Sequence, residues 1–204
     1  MSGLALEDVS LGPLGGVRLA LGSGEVGWAQ GATGSGKTLL LYLAAGLALP
    51  EEGRVILNGS APEPDRVAML FQNPDYQLLA PSVEADVGMN ARSPEDAEAT
   101  LELAGCRSFR DRAPESLTPG QRRRVALAGV LAAAPDLALL DLPFAGLGRE
   151  EAERLWRSCR QRLVNAGATV LVTGEPVGEA ANDAIWEVEQ WLRATPQSTS
   201  TNSP

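Results

Sequence analysis

The eight residues Gly31-Ala32-Thr33-Gly34-Ser35-Gly36-Lys37-Thr38 restrict this chain more than any other stretch. They fill every required position of the pattern G-x-x-x-x-G-K-[ST]. The glycines let the backbone curl until successive N–H groups point inward and form an anion-binding nest. A helix opening at the end of the loop adds the positive end of its dipole. Lys37 is placed to set a full charge against the β- and γ-phosphates of a nucleoside triphosphate, and the Thr38 hydroxyl to ligate Mg²⁺. Lys37 is also the only lysine in the sequence, every other basic side chain being arginine. A compact point charge is thus kept where the loop needs one. The flanks agree: Glu25–Gln30 reads as a short buried strand and Leu39–Gly46 as a buried helix. Strand, glycine loop and helix in that order predict nucleotide binding.

With 204 residues the chain is one domain of ordinary size, and a hydrophobic fraction of 44% is that of a soluble globular protein. The formal net charge of −9 excludes a nucleic-acid surface, because no long basic stripe offsets repulsion from phosphates. Arg122-Arg123-Arg124 is the one basic cluster, and it reads as a solvated helix face. Cys106 and Cys159 have no metal-ligand spacing, and the polar, acidic start Met1–Gly12 carries no secretory signal. Both are expected to be reduced thiols of a cytosolic protein. With no histidine in the sequence, no step can use an imidazole. The longest apolar run, Leu39 to Leu49, is shorter than the roughly 20 residues of a spanning helix, so membrane association must come through another subunit.

In chain order, Leu4–Leu11 reads as an edge strand, Gly12–Gly16 as a turn and Val17–Leu21 as a half-buried strand. Arg54–Leu57 is a strand closed by the hairpin-type turn Asn58-Gly59, and Val67–Phe71 is an apolar run suited to burial on both faces of a parallel sheet. From Asn73 to about Arg112 the composition becomes helical. Ser93 is placed as an N-cap with Pro94 in the first turn, and Gly105 closes that helix. A second helix starts at Leu117-Thr118 and runs to Pro135, with Thr118 and Gln121 spaced as a capping box. Leu137–Asp141 is a buried strand ending in an acid, Glu150–Val164 an amphipathic helix, and Ala168–Thr173 a further buried strand. A short tryptophan-rich element spans Ile185–Arg193, and the polar tail 194–204 reads as disordered. Strands alternating with helices predict an α/β fold with a mostly parallel sheet and a helical insert.

Four further stretches resemble, in order, the motifs of the ATP-binding-cassette (ABC) ATPases. Phe71-Gln72-Asn73-Pro74-Asp75 is similar to the Q-loop, and Leu117–Arg124 to the signature helix. Leu137–Asp141 is similar to the Walker B strand, with Pro143–Leu147 where the D-loop begins. The run from Phe71 to Leu78, with Ala80–Glu84, is similar to the energy-coupling-factor subgroup, which powers uptake of vitamins and transition-metal ions. The resemblance covers roughly residues 4 to 175. It implies a P-loop fold of the ABC type: a single domain over 1–193, with a parallel core, an antiparallel β edge and a helical subdomain inserted at about 74–123. It implies that Gln72 and Asp141 join Thr38 around Mg²⁺. It also implies that Thr118, Gly120 and Gln121 reach ATP held by a second ATPase subunit in a head-to-tail pair. A membrane-embedded transporter subunit would hold the chain peripherally on the inner face of the cell membrane.

Three positions depart from the family pattern. The glutamate that should follow Asp141 is Leu142, the histidine expected after Ala168–Thr173 is Gly174, and the D-loop aspartate is Gly148. Leu142 cannot accept a proton and Gly174 has no side chain to hold a γ-phosphate, so no intact catalytic residue is expected. Pro119 stands where the family has glycine, leaving the Gly120 amide as donor, and no aromatic occurs around Leu11–Leu14 to stack on adenine. The pattern suits an asymmetric pair. This chain binds ATP in its own loop and lends its signature residues to an intact partner site. Two other readings remain: a nucleotide-gated regulatory protein that dimerises on ATP without transport, and a P-loop phosphotransferase. Gln72 and the Leu117–Arg124 helix argue against the last.

Overall fold

The computed structural model describes residues 2–178 and 183–193; the tail expected to be disordered lies outside them. Strands β1 (Gly3–Leu11) and β2 (Leu14–Gly22) form an antiparallel hairpin closed at Leu11↔Leu14, and β4 (Glu52–Leu57) pairs antiparallel with the other side of β1. β1 is therefore the central strand of its sheet, not the edge strand expected from the sequence. Its acids are matched across both neighbours: Asp8 accepts from Arg18 Nε on β2 at 2.5 Å, and Glu7 from Arg54 Nε on β4 at 2.6 Å. Glu7 and Arg54 stand directly opposite, where opposite charges across a ladder stabilise the pairing.

The second sheet is parallel in every pair, in the order β5 (Val67–Leu70), β6 (Leu137–Leu140), β7 (Thr169–Thr173), β3 (Val26–Gln30), β8 (Ala184–Glu187). The pleat sends alternate residues to opposite faces. Leu137, Leu139 and Leu171 face helix α1 (Lys37–Ala44) and the antiparallel sheet, whereas Ala138, Leu140, Val170 and Val172 face the helical side. β5 stands at the edge, so Val67, Ala68 and Met69 are only half-buried and Leu70 alone is buried. Burial on both faces, expected of this run, needs neighbours on both sides. Asn58-Gly59 makes its turn but no hairpin: Leu57 forms an isolated bridge with Ser60, and β4 pairs with β1 instead.

Helices α2 (Val83–Gly88), α3 (Pro94–Leu103) and α4 (Pro119–Ala133) follow β5, and α5 (Arg149–Asn165) links β6 to β7. Their starts follow local chemistry. Ser93 Oγ accepts from Asp96 N at 3.2 Å, and Thr118 and Gln121 form the reciprocal capping box. The tryptophan-rich terminal stretch supplies β8, parallel to β3, and then a 3₁₀ turn at Val188–Trp191.

Candidate functional site

β3 ends at Gln30 and α1 begins at Lys37, so the glycine loop crosses from the carboxyl end of the sheet into a helix N-terminus. Gly31, Gly34 and Gly36 hold φ values of 148°, 84° and 95°, conformations that L side chains rarely adopt. A Cβ at Gly34 would meet nothing within 4 Å, so the loop keeps an open concave face. Lys37 Nζ lies over the loop and donates to the carbonyls of Gly31 at 2.7 Å and Ala32 at 2.6 Å. Leu14 is fully buried beneath Gly36, and no base can stack on it.

Asp141 is 1% exposed where β6 ends. Its Oδ2 accepts from Thr38 Oγ1 at 2.7 Å and its Oδ1 from Thr173 Oγ1 at 2.6 Å. A hydroxyl and a carboxylate already adjacent at a phosphate loop are the hard oxygen donors that Mg²⁺ takes. Gln72 is exposed and lines, with Thr38, Phe71, Gly120 and Gly146, a cleft of about 600 Å³. The structure thus brings Thr38 and Asp141 into contact and puts Gln72 and Gly120 on the walls of one cleft.

Leu142 and Gly174 are neighbours. Leu142 sits at φ 48°, and a Cβ at Gly174 would lie 3.2 Å from Leu142 Cδ2. Both line a second cavity of about 600 Å³ with Lys37, Gly31–Thr33, Glu175 and Glu187. Leu142 and Gly174 themselves bring no proton acceptor to this cavity; the acids that line it are Glu175 and Glu187.

At the signature residues, Gln121 Oε1 accepts from Thr118 N at 3.0 Å, and Thr118 Oγ1 from Gln121 N at 3.3 Å. The Gln121 carbonyl is committed to its own helix start. The Thr118 hydroxyl proton, the Gly120 N–H and the Gln121 side-chain NH₂ are donors this segment has left.

The three arginines are not a solvated face. Arg122 pairs with Asp75 at 2.9 Å, Arg124 pairs with Glu151 of α5, and Arg123 donates to the carbonyls of Gln72 at 2.8 Å and Leu142 at 3.0 Å. Consecutive positions turn by about 100° around a helix, so each arginine meets a different element once α4 is packed. Burial pulls the Arg123 guanidinium below its ordinary value, and the Asp141 charge opposes that.

Two acids come from β8 and the 3₁₀ turn that follows it. Glu187 Oε1 accepts from Gln30 Nε2, and Glu189 Oε1 from Ala32 N, both at 2.5 Å. The Ala32 N–H first, and the Lys37 charge to a smaller degree, hold the exposed Glu189 carboxyl below the usual carboxylate range. Arg123, Thr173, Glu187 and Glu189 were missed from the sequence. Only Thr173, a hydroxyl ending a buried strand beside the Asp141 strand, left a signal that could have been read.

A glycine loop leading from a parallel strand into a helix, with its threonine bonded to the acid that ends another strand of the sheet, defines a P-loop nucleotide-binding protein. The ABC transporter family model matches residues 14–145, well over half of the sequence. The chain belongs to the ABC transporter ATPase family. It is 34% identical over 181 residues to an energy-coupling factor transporter ATP-binding protein of Methanothermobacter thermautotrophicus, covering 80% of this chain and 58% of that protein. It is also 34% identical to a second such protein, from Streptococcus sanguinis, covering 89% of this chain and 76% of that one. The structure of cbiO1 from Clostridium perfringens, part of the ABC transporter complex cbiONQ, superposes with a TM-score of 0.72 at 26% identity, covering 86% of this chain and 79% of that one. The chain spans little more than half the length of the Methanothermobacter protein and of several other curated relatives.

Proposed function

We propose that this chain is the ATP-binding subunit of an energy-coupling-factor-type importer for vitamins or transition-metal ions. It binds MgATP at its own loop and lends Thr118, Gly120 and Gln121 to the site of a partner ATPase. The observation that carries the reading is the Thr38–Asp141 contact beside the Lys37 loop, with Leu142 and Gly174 on the same cavity. Loop N–H groups and Lys37 hold the phosphates; Thr38 and Asp141, with Gln72, hold Mg²⁺, whose chemistry when bound is to neutralise phosphate charge. Leu142 cannot take a proton from water, and a positioned general base contributes typically about 10²–10⁴-fold in rate. Hydrolysis therefore falls to the partner's site, and this site serves as a slow, ATP-held joint. Tyr76, Leu79 and Met89, exposed by 75%, 80% and 62%, give the helical insert an apolar surface for a membrane subunit. Among the described residues no helix is long and apolar enough to cross a membrane, which fits peripheral attachment.

The test is thermal unfolding with and without MgATP. At a ligand concentration 100 times Kd, binding adds about 2.7 kcal/mol of stability. Wild type should gain it and Lys37→Ala should not; an equal gain in both removes the assignment. Vigorous hydrolysis by the purified chain, lost in Lys37→Ala, would contradict the impaired centre.

A further inference from the structure

An unbroken run of hydrogen bonds leads from the phosphate loop to the helix that carries Thr118 and Gly120. Thr38 Oγ1 donates to Asp141 Oδ2 at 2.7 Å, and Asp141 Oδ1 accepts from Thr173 Oγ1 at 2.6 Å. The same Thr173 oxygen accepts from Leu142 N at 2.9 Å. The Leu142 carbonyl accepts from Arg123 Nη1 at 3.0 Å, and Arg123 Nη2 donates to the Gln72 carbonyl at 2.8 Å. The Thr38 and Thr173 hydroxyl protons are each used once, both on Asp141. Leu142 is bonded through its N–H and its carbonyl while held at φ 48°, where an unsupported leucine is strained. A shift at Asp141 is therefore passed on as a shift of Leu142 rather than absorbed by a floppy residue.

We propose that Arg123 is a positioning residue that couples nucleotide occupancy at the Lys37–Thr38 loop to the presentation of Thr118 and Gly120. The guanidinium suits the task, because its planar fork can hold two carbonyls at fixed separation and stays charged. Helix α4 then acts as a lever: residue 123 lies five positions beyond Thr118, about 7.5 Å along the axis. The flanking arginines do not share this role. Arg122 bonds Asp75 and the Leu117 carbonyl, both within the insert, and Arg124 bonds Glu151 on the far helix. Of the three arginines, only Arg123 joins the segment after β5 to the exit of β6. In a head-to-tail pair this would let ATP in one composite site adjust the other. The inference rests on the proposed reading of the loop as a MgATP site.

The test is amide hydrogen exchange on the full chain, with and without saturating MgATP, comparing segments 31–38 and 117–122. In wild type, MgATP should slow exchange in both segments, the distant one by about fivefold or more, the lower end of typical coupling. In Arg123→Met and Arg123→Lys, MgATP should still protect 31–38 while the protection at 117–122 is lost. Lysine keeps the cation but offers a single nitrogen in place of the planar fork that holds the two carbonyls apart. Arg122→Met should behave as wild type. A general loosening of α4 would raise exchange at 117–122 without nucleotide and leave the nucleotide-dependent difference in place. Protection of 117–122 that survives in both Arg123 variants overturns the proposal, as does its loss in Arg122→Met. If wild type shows no protection of 31–38, the MgATP reading itself fails and takes this inference with it.

Discussion

Thr173→Val tests whether the carboxyl end of the parallel sheet is organised as described. The Thr173 hydroxyl is buried at 1% exposure, donates to Asp141 at 2.6 Å and accepts from Leu142 N at 2.9 Å. Valine keeps the branched shape, so little cavity is created, but both bonds are lost. A bond to a charged group is worth about 1.5–3 kcal/mol and a neutral one about 1 kcal/mol, and both partners here are left without their donor or acceptor. The expected loss is about 3 kcal/mol, a large share of the roughly 5–15 kcal/mol that holds a domain together. At about 2–4 °C per kcal/mol for a chain of this size, Tm should fall by about 6–12 °C. Urea unfolding followed by tryptophan fluorescence reads the change directly, since Trp28 and Trp156 are buried with ring centroids 5.2 Å apart. Thr173→Ser is the control: it keeps the hydroxyl and loses one methyl, costing about 1 kcal/mol. If valine costs no more than serine, the hydroxyl is not holding Asp141 and Leu142.

Two more outcomes follow from the titrating groups. Burial pushes the thiols of Cys106 and Cys159 up to about 12, so the folded state holds protons that the unfolded state releases near 8.5. The unfolded chain then binds fewer protons, and stability falls as pH rises from about 8.5 toward 12, by about 1.4 kcal/mol per unit for each thiol. Cys159→Ala should shed its share of that slope in urea unfolding at a series of pH values; an unchanged slope refutes it. Glu189 acts in the opposite direction. Its folded pKa is depressed, so its contribution is present above the ordinary carboxylate range and lost as pH falls through the folded value. Glu189→Gln should flatten the acid limb of the stability profile, and an identical limb in both proteins would show that the Ala32 contact does not form in solution.

Much of the site was legible because its chemistry is local. The Gly31–Thr38 loop, the Ser93 cap and the Thr118–Gln121 capping box each lie within a few residues, and near neighbours meet whatever the rest of the chain does. Buried strands such as Leu137–Leu140 showed themselves by unbroken apolar runs. The three arginines misled because a charge run carries no sign of what packs against it. Only the burial of α4 against β5, α5 and the segment after β5 turns them inward.

By itself the sequence determined that the chain carries a phosphate loop, an acid ending a buried strand, a capped helix and no histidine. Tertiary structure decided which of these meet. Thr38 and Asp141 are 103 residues apart, and they touch because β6 and β3 flank β7 in register. Glu189 reaches Ala32 across 157 residues because β8 joins the sheet beside β3. Parallel strands never adjoin through a short turn, so their order and register come from packing of the crossover elements between them. Contacts at the carboxyl ends of such strands, where this site is built, are fixed by that packing.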